Sequence, residues 1–101
     1  MSSSTSNPTD LDAQLIAIIS EPLRDGETAA TGFARKEAEL RALFAGLRVL
    51  EAHALHRRLV HPRANDPVAI AFARLTAPRR LRLVEFLADA RRRAALAATR
   101  A

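Results

Sequence analysis

From about Thr28 to Val60 the chain runs without a proline, and its apolar residues recur at helical spacing. Steps of 100° per residue gather Phe33, Leu40, Leu43, Phe44, Leu47, Leu50 and Ala54 into one stripe of mostly large side chains. The opposite side carries Ala38, Ala42, Ala45, Val49 and Ala52, nearly all small. Glu37, Arg41 and Arg48 form one charged edge between them, and Arg35, Glu39, His53 and Arg57 form the other. The pattern predicts one long helix, about 28–60, with two faces able to pack. An alanine face lets a second helix approach closely, although alanine is also simply the strongest helix former.

Shorter patterns flank this helix. Leu11, Leu15, Ile18 and Ile19 predict a first helix over 10–20, with Thr9 as N-cap and Asp12 three residues on. Pro22, Asp25 and Gly26 mark a loop. Pro62 ends the long helix, and Asp66-Pro67 is a start signal in which the proline occupies a helical position that needs no N–H. A short helix, 67–75, carries Val68, Ile70, Ala71, Phe72 and Leu75. Thr76 and Pro78 open a last helix, 78–98, whose core face is Leu83, Val84, Leu87, Ala90 and Ala94.

The expected architecture is all-α, a helical hairpin or small bundle with the short helix at its turn. Residues 1–9, small and polar, are expected to be a disordered tail, and 10–101 a single domain. A helix over 28–60 would span about 50 Å and the last helix about 31 Å. That mismatch leaves Phe33, Leu40 and Phe44 to be covered by the first helix and by a second copy of the chain. Protein-interaction residues are therefore expected at Phe33, Leu40, Phe44 and Leu47 on the large stripe and at Ala45 and Ala52 on the small one.

Charge adds a second line of argument. Residues 1–39 hold Asp10, Asp12, Glu21, Asp25, Glu27, Glu37 and Glu39 against Arg24, Arg35 and Lys36, a net −4. The remaining residues hold thirteen arginines against Glu51, Asp66, Glu85 and Asp89, a net +9. Such a split points to an acidic partner for the second half: nucleic acid, an acidic protein, or the chain's own front end. Arg57, Arg58, Arg63, Arg79, Arg80 and Arg82 are the candidate contacts. The abundance of arginine over lysine also reflects a GC-rich genome, which discounts arginine number as evidence. On the wheel, Arg82, Arg92 and Arg93 share a face with Glu85 and Asp89 at pairing distance in sequence. There is no Tyr or Trp, so stacking platforms for single strands are missing.

Other chemistry finds little support. His53, His56 and His61 lack a fourth ligand at any recurrent zinc spacing, and no cofactor or metal is expected. No cysteine, paired carboxylate or glycine-rich phosphate loop suggests an enzyme. No apolar run is long enough for a membrane span and no basic region precedes Leu11–Ile19, so a cytoplasmic protein is expected.

Two stretches resemble parts of known families. Phe72–Asp89 is similar over about 18 residues to the opening of winged-helix repressors of the ArsR type, which would imply DNA binding; Ala90–Ala101 departs by leaving no room for a recognition helix or wing. The turn from Pro62 to Pro67 resembles that of type III secretion needle and rod hairpins, from which the arginine-rich last helix departs. The residues favour a non-enzymatic helical interaction or assembly module, such as a structural subunit, adaptor or small chaperone-like partner. The alternative is a small basic nucleic-acid-associated protein whose arginines contact phosphates.

Overall fold

The structure, a computed structural model, describes the backbone of residues 8–100 and the side chains of 11–100. Within those residues the chain is all-helical: α1 (Pro8–Ser20), α2 (Ala29–Ala45), α3 (Val49–Val60), α4 (Pro67–Ala73) and α5 (Ala77–Arg100). Pro8 and Thr9, expected in the tail, already belong to α1; the rest of the expected tail lies outside the described residues. The short and last helices fall within two residues of their expected bounds.

The main correction concerns the long helix. It is two helices, broken at Gly46–Arg48. Gly46 closes α2, its N–H donating to the Leu43 carbonyl while the Leu47 N–H donates to that of Phe44, and Arg48 is extended (φ −78°, ψ 165°) and begins α3. The Glu51 carboxylate accepts the Arg48 N–H at 2.9 Å, which pins the new start. The physical reason lies in coverage. At 24 residues, α5 is about 36 Å long and cannot line a straight helix of about 48 Å. Bending the chain at Gly46–Arg48 lets α5 pack along both α2 and α3.

The remaining local structure follows from short-range hydrogen bonding. Thr28 and Thr31 cap α2 reciprocally: each hydroxyl accepts the other's backbone N–H, at 3.1 and 2.9 Å. Gly26 sits at φ 83° in the preceding loop, a conformation that disfavours any side chain. Gly32 lies where Leu23 of that loop presses on α2, and a Cβ there would stand 2.3 Å from a Leu23 methyl. Asp66 caps α4 by accepting the Val68 N–H at 3.0 Å.

The core gathers around Leu15, Leu40, Phe44, Leu55, Val68, Phe72, Leu83 and Leu87, all essentially buried. In this arrangement α1 packs on α4 and α2, and α3 and α2 pack on α5. The result is a small five-helix bundle. The break also re-registers the stripes: Leu40 and Phe44 point inward, whereas Leu50, on the same expected stripe, is 80% exposed. The alanine face divides likewise, with Ala38, Ala42 and Ala45 exposed and Ala52 fully buried.

Candidate interaction surfaces

Several residues expected to meet a partner are consumed by the chain itself. Leu40, Phe44 and Ala52 belong to the core. Phe33 is half-buried against it, with the Arg79 guanidinium 4.8 Å from its ring centroid. Leu47 and Ala45 remain accessible. They line an open groove of about 550 Å³ between the α2–α3 junction and the C-terminal half of α5. Phe86, Ala90 and Ala94 form the α5 side of that groove, and Arg41, Arg48 and Arg93 stand among its lining residues.

A second groove, about 480 Å³, is more apolar. It runs between the end of α3, α4 and the start of α5, lined by Leu59, Val60, Phe72, Ala77, Leu81 and Val84 among others. Val60 is 44% exposed and Leu81 60% exposed. Neither was expected as an interaction residue. Leu81 carried a readable signal, because it is an apolar residue off the core stripe of an amphipathic helix; so did Leu96, 56% exposed further along α5.

Arg58, Arg80 and Arg82 are engaged in ways their sequence positions did not reveal, whereas Arg92 and Arg93 pair as their spacing predicts. Arg58 holds Asp12 of α1 and Asp66 of the α4 cap together, with N–O distances of 2.7–3.1 Å. Arg82 makes a two-bonded pair with Glu37 across the α5–α2 contact, at 2.6 and 3.0 Å. Arg80 donates to the carbonyl oxygens of Ala73 and Leu75. Arg92 and Arg93 both pair with Asp89 on their own helix. Part of the charge split is thus resolved within one chain, by Arg58–Asp12 and Arg82–Glu37.

Arg35 organises the acidic front. Its guanidinium reaches Glu21, Glu27 and Glu39 and ties the loop after α1 to α2. The hydrogen bond from Arg35, aided by the Arg24 backbone N–H, pulls the Glu27 carboxyl down to about 2. Arg35 also holds Glu21 below its ordinary value, Arg82 does so for Glu37, and Arg58 for Asp66.

Arg57 and Arg63 stay exposed. With Arg58, His61, Asn65 and Asp66 they line a third groove, of about 560 Å³, beside the α3–α4 turn. Among the described residues no three His, Asp or Glu side chains converge as a metal set. His53 Nδ1 lies 3.4 Å from an Arg91 nitrogen, and burial followed by Arg91 lowers the pKa of half-buried His56. No helix among the described residues is long and apolar enough to cross a membrane. Comparison with protein-family models, curated proteins and solved structures finds no significant match to this chain.

Proposed function

We propose that this protein is a non-enzymatic helical interaction or assembly module, working by helix packing against another protein or another copy of itself. The observation carrying this reading is the apolar groove between α3, α4 and α5, where Val60 and Leu81 stand exposed beside the buried Phe72. Large side chains left in the open on a small domain mark a contact surface when they cluster at a concavity. Leu47 at the α2–α3 junction supplies a second such place.

The test uses Val60→Glu and Leu81→Glu, both at exposed positions. Quantitative affinity purification of tagged protein, compared with both variants, should show bound protein, including untagged copies of the chain, reduced at least about tenfold. Circular dichroism should show unchanged helicity. Equal recovery with both variants would remove the groove from the function.

A second reading rests on Arg57, Arg63 and His61, which line one groove and make it a candidate for phosphate contact. It gains nothing from Arg58, Arg80 or Arg82, whose donors already serve acceptors in the chain. Duplex DNA or RNA should then bind weakly, on the order of 10⁻⁴–10⁻⁶ M at physiological salt. A nanomolar complex with a steep salt slope, lost in Arg57→Glu and Arg63→Glu, would put the nucleic-acid reading first.

A further inference from the structure

The break between α2 and α3 is weakly enforced. Gly46 lies in the right-handed helical region (φ −87°, ψ −2°), and a Cβ there would meet nothing nearer than the Leu43 carbonyl oxygen at 3.6 Å. The turn therefore does not require glycine. No proline lies between Thr28 and Val60, and the extended backbone of Arg48 begins the new helix.

The break also leaves groups unsatisfied that a straight helix would satisfy. The first intrahelical bond of α3 runs from the Ala52 N–H to the Arg48 carbonyl. The N–H groups of Val49, Leu50 and Glu51 consequently have no helical acceptor, a deficit inherent to every helix start. In a continuous helix they would reach the carbonyls of Ala45, Gly46 and Leu47. Leu50, 80% exposed, and half-buried Leu47 sit at the same place. What opposes straightening is the core: one chain must bring α4 back onto α1 and α5 back onto α2. A straight 29–60 helix of about 48 Å would carry those partners apart. A second copy removes that conflict.

We infer that the partner of the α2–α3 junction is a second copy of this chain, in a dimer that exchanges halves. Residues 29–60 straighten in both copies, and α1–α2 of each closes on α4–α5 of the other. The packing of α1 on α4 and α2 on α5, and the Glu37–Arg82 and Asp12–Arg58 pairs, are remade between chains. The two Leu47–Leu50 segments then meet near the two-fold axis, where each covers the other. Exchange of identical elements is an inexpensive route to a dimer because the native contacts are reused. The inference rests on the interaction-module reading and names its occupant.

Sedimentation velocity from about 5 to 500 μM tests it, with two opposing variants. Gly46→Ala removes a helix-breaking preference at both junctions of the dimer and should tighten association about tenfold. Val49→Pro suits the break, since proline is favoured at the first helical position and Arg48 already has the extended conformation preferred before proline. It forbids the continuous helix and should leave only monomer with unchanged helicity. Leu50→Glu, at an exposed position, should keep the monomer's melting temperature and weaken the dimer.

Exchange itself is read by cross-linking. The chain has no cysteine, so Glu37→Cys with Arg82→Cys and a short bis-maleimide should join two chains in the isolated dimer and close within one chain in the monomer. Gly46→Ala remaining monomeric throughout, a Val49→Pro dimer as tight as wild type, or an intrachain link in the dimer would each overturn the inference. Association only with a different protein would also overturn it while leaving the interaction-module reading in place. A chain that bound neither itself nor any other protein would end both.

Discussion

The sharpest contrast between a broken and a continuous helix is the fate of two leucines. Leu87 of α5 is fully buried, whereas Leu50 of α3 is 80% exposed. Truncation of leucine to alanine removes three carbons, worth about 2.4 kcal/mol of transfer free energy when wholly buried. At Leu87 the residual cavity adds to that, for a total of about 3–4 kcal/mol. At Leu50 only about a fifth of the transfer term applies, about 0.5 kcal/mol, and the better helix propensity of alanine offsets part of it. Had 28–60 been one helix with its large stripe inward, both substitutions would cost about 2–5 kcal/mol. Urea unfolding followed at 222 nm, at about 5 μM so that the monomer is observed, measures both. A domain of this size has about 5–15 kcal/mol in total, so the Leu87→Ala midpoint should fall steeply while that of Leu50→Ala hardly moves. A loss above about 1.5 kcal/mol for Leu50→Ala at that concentration would refute the assignment of the break, and one below about 1 kcal/mol for Leu87→Ala would refute the placement of Leu87 in the core.

Arg58→Gln should cost about 1–2 kcal/mol, because it releases Asp12 and Asp66 together at a partly exposed site; Arg58→Lys should recover less than half, since an ammonium cannot reproduce the guanidinium fork. Equal stability of all three forms in urea would show that the bridge contributes nothing. Acid should destabilise the fold in two stages. The pKa of His56 lies below its ordinary 6.5, so the unfolded chain binds protons first and stability declines as pH falls through that value; a midpoint that rises between pH 7 and 5.5 would contradict this. The depressed carboxyls of Glu21, Glu27, Glu37 and Asp66 contribute stability that is present above about pH 4.5 and is lost toward about 2, where Glu27 protonates; a urea midpoint unchanged from pH 5 to 2.5 would exclude that contribution. Gly26→Ala should cost about 1 kcal/mol from its φ of 83°, and a neutral result by thermal melting would show that the loop relaxes.

Much of the local structure was legible in the chain. Pro62, the Asp66-Pro67 start and the Leu83–Leu87 face each carry their cause within a few residues, so the last two helices fell where spacing placed them. The length mismatch was drawn against one long helix that the break removes, and the Leu40 and Phe44 it assigned in part to a second copy are buried by the chain itself. The candidate surfaces were legible only in part. Arg57 and Arg63 line an open groove that no local pattern announces, because it forms only where the α3–α4 turn folds back, and the exposure of Leu81 beside Val60 likewise depends on how α3, α4 and α5 meet.

The sequence by itself determined that this is an all-α chain with a large apolar stripe and an acidic front before a basic remainder. Tertiary structure alone decided where the stripe turns inward. A break at Gly46–Arg48 has no strong local cause, because Gly46 stays near helical geometry and the Glu51 cap also fits a helix interior. It arises from how much of α2 and α3 a single α5 can cover, a balance among residues dozens of positions apart. The same balance sends Leu40 into the core and leaves Leu50 outside, although one periodicity places both on one face. It also directs Arg58 and Arg82 to acids in the front of their own chain. Charge composition records how many such groups exist; only packing determines which of them meet.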